Sequence, residues 1–196
     1  MATETQIANL AAMRCMSTTR ITSLDDNRPL AIRLKAIWDI ERRATLRDGS
    51  FNFAARRGTL GQLVVTSTAE VYPYMSAFEL PAECLRLIEI LHDSVRKDYR
   101  LEGRRVLCNV NGPLYARWIT DVTEPAEWGD AFADAFAWRL ARNVGPGSYG
   151  EGFDAAAAER QYQMAIVRAK GVDAKEDPPQ SQEESDWILA RLGQQV

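Results

Sequence analysis

The stretch Ala44–Leu60, ATLRDGSFNFAARRGTL, decides how the chain folds, because the character of the sequence changes inside it. Before it, Leu30, Leu34, Ile37 and Trp38 recur at helical spacing as one apolar stripe. Arg33, Lys35, Arg42 and Arg43 fall largely on the other faces. Asp26 or Asn27 offers a cap for this helix, Pro29 suits its first turn, and Asp48-Gly49 stops it. Beyond Ser50, Gly58, Gly61 and the β-branched Val64-Val65-Thr66 favour extended structure, and Tyr72-Pro73-Tyr74 is unsuited to a helix interior.

A second stretch, Tyr99–Ile119, YRLEGRRVLCNVNGPLYARWI, carries the extended character further. It reads as Tyr99 to Leu101, a turn at Glu102-Gly103, Arg104 to Val110, a turn at Asn111-Gly112-Pro113, and a strand from Leu114 to Val122. Leu85, Leu87, Ile88, Ile90 and Leu91 read most simply as another strand, although Pro81-Ala82-Glu83 equally suits a helix start.

Helices are expected on either side. Thr3 and Gln6 have capping-box spacing ahead of Ile7, Leu10 and Ala11. After Pro125, Trp128, Phe132, Phe136 and Leu140 are spaced by four, a stripe that belongs in a core, and Gly145-Pro146-Gly147 is read as its end. A further helix carries Ala155 to Ala158, Tyr162, Ala165 and Ile166 and fades near Gly171. The expected helices span 3–16, 29–47, 126–144 and 153–170, around a sheet region at 51–122. The fold class is therefore α+β: a bundle of about four helices with a small, mostly antiparallel sheet inserted between helix pairs, plus a C-terminal extension. Residues 1–172 are read as a single domain, and 173–196 as an acidic linker and C-terminal arm.

Composition bounds what such a chain does. Its 196 residues, 46% hydrophobic and 26% charged, suffice for one sizeable core. Its apolar runs fall far short of the ~20 residues a membrane helix needs. Glu4, Gln6 and Asn9 interrupt any signal-peptide pattern. Cys15, Cys84 and Cys108 lack short-range spacing and read as reduced, buried thiols of a cytoplasmic product. The net charge of −3 is unevenly spread: residues 173–186 hold six acids against Lys175, a net −5 that leaves +2 elsewhere. A body of +2 is too weakly basic to predict nucleic-acid binding by itself.

Catalytic material is sparse. His92 is the only histidine, which leaves little for a metal site or a nucleophile–histidine pair, and beside Asp93 it reads as a solvated loop residue. Glu79 with Glu83 is a carboxylate pair of a common kind near a turn. Gly145-x-Gly147-x-x-Gly150 matches a dinucleotide fingerprint only in letters, because it follows a helix rather than a strand. The chain is read as a non-enzyme with no cofactor and no metal. Arg56-Arg57 and Arg104-Arg105, set among aromatic and β-branched residues, are candidates for a subunit or tail interface; solvated strand edges with ion pairs are the plainer account. Trp187, Ile188 and Leu192, beyond the acidic stretch, form one short amphipathic turn that either folds back on the body or fills a partner's pocket.

The order of blocks resembles a known family. An N-terminal helix leads into Ile21-Thr22-Ser23-Leu24-Asp25-Asp26 and a helix with Trp38 and Arg42-Arg43. Then follow Leu46-Arg47-x-x-x-Phe51-Asn52-Phe53-Ala54-x-Arg56-x-x-x-Leu60, Leu80-Pro81-Ala82-Glu83-Cys84-Leu85-Arg86, Tyr99-x-x-Glu102-Gly103-Arg104, and Asp121-Val122-Thr123-x-Pro125 with an alanine–aromatic helix. Over residues 5 to 170 this is similar to the tail tubular protein A family, the head-to-tail adaptors (connectors) of short-tailed bacteriophages and related prophages. One departure is Phe51, where the family pattern usually has tryptophan.

The resemblance implies a virion structural protein at the head–tail junction, assembled in the host cytoplasm. It implies a ring of about twelve copies beneath the portal protein. Such a ring extends the channel for genomic DNA without sequence-specific binding and seats the tail nozzle protein, with no membrane partner. The segment Trp187, Ile188 and Leu192 would contact the portal. Two rival readings stand beside it. A small DNA-binding module predicts salt-sensitive DNA affinity by the lone subunit, and a carboxylate-based cell-wall hydrolase predicts turnover lost with one carboxylate.

Overall fold

Four helices and seven strands follow in chain order among the described residues, which are 2–17, 20–149 and 152–176 of a computed structural model. They are α1 (Glu4–Arg14), α2 (Pro29–Asp48), β1 (Ala55–Gln62), β2 (Ser76–Glu79), β3 (Cys84–His92), β4 (Val95–Arg96), β5 (Arg100–Glu102), β6 (Arg105–Cys108), β7 (Leu114–Thr120), α3 (Asp130–Tyr149) and α4 (Ala155–Glu176). The fold is mixed α+β, with about 48% of the described residues helical and 22% in strands, and its sheet is antiparallel and curled.

Local chemistry accounts for most boundaries. The Thr3 hydroxyl accepts from the Gln6 amide and the Gln6 side chain accepts from the Thr3 amide, closing the expected capping box. Helix α1 ends at Arg14, two residues before the expected end, because Met16 takes a left-handed backbone with φ of 59°. Helix α2 opens with Pro29 in its first turn, but its N-cap is Arg28 with no side-chain cap bond. The expected cap Asp26 instead accepts from the amide and hydroxyl of Thr22, folding the preceding loop on itself.

Helix α3 lies at the centre of the helical layer and packs against α1, α2 and α4. Phe132, Phe136 and Leu140 are fully buried, while Ala135, Ala137 and Ala141 let neighbouring helices approach closely. The helix does not stop at Gly145-Pro146-Gly147 but runs to Tyr149. Tertiary contacts override the breaker residues there. A side chain at Gly145 would collide with the Phe153 ring, which occupies that space, and Arg33 of α2 donates to the Gly147 carbonyl. A 3-10 turn, Pro125–Glu127, precedes α3, so this region starts with a separate turn rather than one helix from 126. Helix α4 likewise outlasts its expected end, continuing through Asp173 to Glu176. The Asn52 amide donates to the Asp173 carboxylate at 2.8 Å and the Asn52 side chain to the Asp173 carbonyl at 3.0 Å, which anchors residues whose composition alone suggested a linker.

The seven strands run in the order β4-β3-β7-β1-β2-β6-β5. Strand β1 belongs to both halves: Ala55 to Leu60 pair with β7, then Gly61 and Gln62 pair with β2. Handing one strand between two ladders bends the sheet, and side chains from both halves meet inside the bend. Leu60, Phe78, Leu87, Ile90, Val106, Leu114 and Trp118 form that cluster. Gly58 permits the curl, since a Cβ there would lie 2.9 Å from the Trp118 ring. Strand β1 thus begins at Ala55, and the β-branched triplet Val64 to Thr66 lies beyond it in a loop that includes the 3-10 turn Thr68–Glu70 and the cis Tyr72-Pro73 bond. Strand β3 runs nine residues from Cys84, which settles Pro81-Ala82-Glu83 as a turn and not a helix start.

Candidate functional site

The helical layer and the sheet meet at an aromatic joint built from the opening stretch. Phe51, 1% exposed, stacks on Phe53 at 5.6 Å, and both set their rings edge-on to Phe132 at 5.1 and 5.2 Å. Trp38 of α2 stacks on Trp128 at 6.4 Å and meets Phe136 edge-on at 4.9 Å. Around this joint the ionic groups are internal. Arg42 lies buried on α2, whereas the stripe pattern put it on a solvent face; it forms a bidentate pair with Asp121 just past β7, both bonds at 3.0 Å. Arg43 adds a third bond to Asp121 at 2.8 Å. Burial alone would raise the Asp121 carboxyl, but the bonds from Arg42 and Arg43 outweigh it and hold the group below its ordinary range.

A second network ties the helices together. Arg139 donates to Glu41 at 2.5 Å, to Asp48 at 2.5 Å and to the Tyr162 hydroxyl at 2.7 Å, and that hydroxyl donates to Asp48. Burial, then the Asp48 bond, pushes the Tyr162 phenol up to about 12. These groups fix α2, α3 and α4 against one another.

The arginine pairs do not form one patch. Arg56 and Arg57 are consecutive on β1, so the pleat sends them to opposite faces. Arg56 donates to the Phe53 and Ala55 carbonyls at 2.9 and 3.1 Å and lies 3.7 Å from Glu127. Arg57 is exposed and sits directly across from Arg117, which faces Glu89 on its other side. Arg104 precedes β6 rather than belonging to a strand; Gly103, at φ of 58°, makes the turn, and the Arg104 guanidinium donates to the Pro81 carbonyl. Arg105 opens β6 opposite both Glu79 and Glu102. All four arginines are exposed; Arg56 and Arg104 bond loop carbonyls, while Arg57 and Arg105 lie opposite charged cross-strand neighbours. Of the carboxylate pair, Glu79 is accordingly an arginine's cross-strand neighbour. His92 ends β3 half-buried and contacts the Pro113 carbonyl at 3.1 Å, so it is a strand residue and not a solvated loop residue.

Trp187, Ile188 and Leu192 lie outside the described residues, as does Gly150 of the glycine pattern. Gly145 and Gly147 lie in the last turns of α3, with no strand before them. All three cysteines are free and buried, and burial pushes the Cys15 thiol up to about 11. Among the described residues no group of three or more His, Cys, Asp or Glu is placed to hold a metal ion, and no helix is long and apolar enough to cross a membrane.

Two exposed apolar surfaces escaped the sequence reading. The loop after β1 presents Val64, 91% exposed, with Tyr72 and Met75, while Leu63, Val65 and Tyr74 fold inward against Val71, Ala77 and Leu107. On α2, Ile32 and Ile40 are 53% and 68% exposed with Ala36 between them. The second surface was visible as a spacing of four, but it is offset from the stronger Leu30–Leu34–Trp38 stripe, and that stripe claims the helix's buried face. A cleft of about 630 Å3 is lined by Phe53 and Trp128, by Glu127, Asp130, Asp173 and Glu176, and by Arg168. The chain matches no family model, and no curated protein sequence matches it.

Proposed function

We propose that this protein is a structural, non-enzymatic head-to-tail adaptor of a short-tailed bacteriophage or related prophage. About twelve copies form a ring beneath the portal, extend the DNA channel and carry the tail nozzle, so the protein is a component of the virion. The observation that carries this reading is the order of sequence blocks shared with the tail tubular protein A family. Several of those blocks supply the joint between helices and sheet: Trp38 with Arg42-Arg43, Phe51 with Phe53, and Asp121. A rigid joint of this kind suits a subunit that holds a shape between two rings. Arg57 and Arg105, the exposed arginines that are not bonded to the Phe53 or Pro81 carbonyl, are the proposed contacts with neighbouring copies or the tail, and Trp187, Ile188 and Leu192 the proposed contact with the portal. The decisive experiment mixes the purified protein with the portal ring of the same virion and images the product by electron microscopy. A closed ring seated on the portal is expected. No ordered ring under conditions that assemble such particles would overturn the proposal.

A further inference from the structure

We infer that each copy inserts Tyr115 and Arg57, from the outer face of its sheet, into the cleft between the aromatic joint and α4 of a second copy of this chain. The inference rests on the adaptor reading only in giving Arg57 to a neighbouring copy, and it names the surface that receives it. That cleft, of about 630 Å3, is an apolar groove with an acidic rim. Phe53, Trp128, Ala165 and Ala169 line it, with Val172, 43% exposed, at its side. Of its acids, Asp134 is paired with Arg14, Asp173 accepts from Asn52, and Glu127 lies 3.7 Å from Arg56. Asp130 and Glu176 are exposed and have no ionic partner among the described residues, against Arg168 in the same wall.

Charge and shape select the occupant. An acidic groove lined with aromatic rings takes a flat apolar side chain with a cation beside it. Among the described side chains, Tyr72 and Tyr115 are the exposed aromatic ones, at 82% and 52%. Tyr72 belongs to the Val64–Met75 stretch, whose single charge is Glu70, so no cation accompanies it. Tyr115 is placed differently. On β7, Leu114, Ala116 and Trp118 point into the bend of the sheet, which turns Tyr115 outward. It faces Thr59 across β1, and Arg57 lies one pleat further along on the same face. Arg57 is exposed and makes no hydrogen bond or ion pair among the described residues, whereas Arg117 opposite has a contact of its own. Arg57 therefore supplies the charge. Beside the apolar row of α2 the cations are spent, since Arg33, Lys35 and Arg43 are bonded to Gly147, Asp25 and Asp121.

The two surfaces point away from each other on one copy. Arg56 reaches Glu127 at the cleft, and the pleat turns the next residue, Arg57, to the opposite face of β1. Arg57 and Tyr115 are thus directed away from the cleft of their own copy, and each copy keeps one surface for each of two neighbours. A contact between unlike faces repeats from copy to copy, and it closes into a ring when its rotation allows.

Sedimentation velocity of the full-length protein, without portal, tests this with two variants. Arg57→Ala with Tyr115→Ala removes the inserted face and keeps the cleft. Asp130→Arg keeps the face and sets a like charge against it in the cleft. All three positions are exposed, so neither variant touches the core. Wild type is expected to form concentration-dependent oligomers at roughly 100 μM, and each variant alone to associate at least about tenfold more weakly. Their equimolar mixture should stop at the dimer, because it offers one intact face to one intact cleft. Arg57→Lys with Tyr115→Phe, which keeps the charge and the ring, should associate as wild type does. A wild type or a mixture that stays monomeric, a mixture that grows past the dimer, or a variant alone that associates like wild type would overturn the inference. The adaptor reading fails separately. Wild type that pairs through this contact yet builds no ring on the portal breaks that reading and leaves the inference standing. Rings built as readily by the Arg57→Ala, Tyr115→Ala variant break the inference and leave the adaptor standing.

Discussion

The helical layer and the far end of the curled sheet are built on different terms. The helical layer concentrates its aromatic rings, Trp38, Phe51, Trp128, Phe132 and Phe136, in one continuous cluster and locks its margins with arginine–carboxylate networks. The β2-β6-β5 end of the sheet rests on a smaller cluster, has strands of three to four residues, and leaves Val64, Tyr72 and Met75 in solvent. The aromatic core is thus gathered at one end, while exposed apolar side chains occur at both, with Ile32 and Ile40 on α2 and Met164 and Val167 on α4.

Four substitutions probe this difference, in falling order of effect. Phe136→Ala removes a fully buried ring from the aromatic cluster and should cost about 3–5 kcal/mol. Denaturant unfolding should show the loss as one transition seen by both helical and tryptophan signals. Phe78→Ala, an equally buried ring in the sheet cluster, should instead show first as faster amide exchange in β2 and β6 while α3 stays protected. If both variants lose protection everywhere alike, the two regions are a single cooperative unit.

Asp121→Ala comes next. It removes the bidentate partner of the buried Arg42 guanidinium, leaving Asp39 alone, and should cost up to about 3 kcal/mol in chemical denaturation. The same bridge gives a pH dependence with a definite sign. The Asp121 carboxyl is held below its unfolded value, so the bridge's contribution is complete well above the ordinary ~3.9 and is lost as pH falls through that value toward the lowered one. The wild-type midpoint should fall on acidification over that window more steeply than the Asp121→Ala midpoint. Parallel curves would mean that the bridge contributes little.

The smallest stability effect belongs to Arg57→Ala, which removes a solvent-facing side chain from a like-charge pair and should change stability by no more than ~0.5 kcal/mol. Its effect should appear in ring assembly with the portal instead. A large stability loss would move Arg57 to the structural side of the comparison.

Much of this architecture was legible in the sequence. The Thr3–Gln6 box, Pro29, the Asp48-Gly49 stop and the Trp128–Phe132–Phe136–Leu140 row are local signals that determine what they advertise. The misses share a cause, which is distant contact. The sequence around Gly145-Pro146-Gly147 reads as a helix stop until Phe153 and Arg33 occupy its flanks. Asp173 reads as linker until Asn52 holds it. Strand β2, only four residues long, carries little pattern of its own and depends on β1 and β6 for its ladder. For the candidate site, the arginine pairs were visible as residues. Which of them brace loops depends on the pleat and on the partner carbonyls of Phe53 and Pro81.

Strand β1 has a mechanical consequence. Its eight residues begin next to Phe53 in the aromatic joint and end where the exposed Val64–Met75 loop starts, a span of roughly 26 Å at ~3.3 Å per residue. Pairing along both ladders makes it stiff, and it is the covalent link between the loop and the joint. A pull on the loop would therefore travel along one paired backbone into the rings of Phe51 and Phe132, much as tension in a tendon reaches bone. The joint would register attachment at the distant end without any hinge between them.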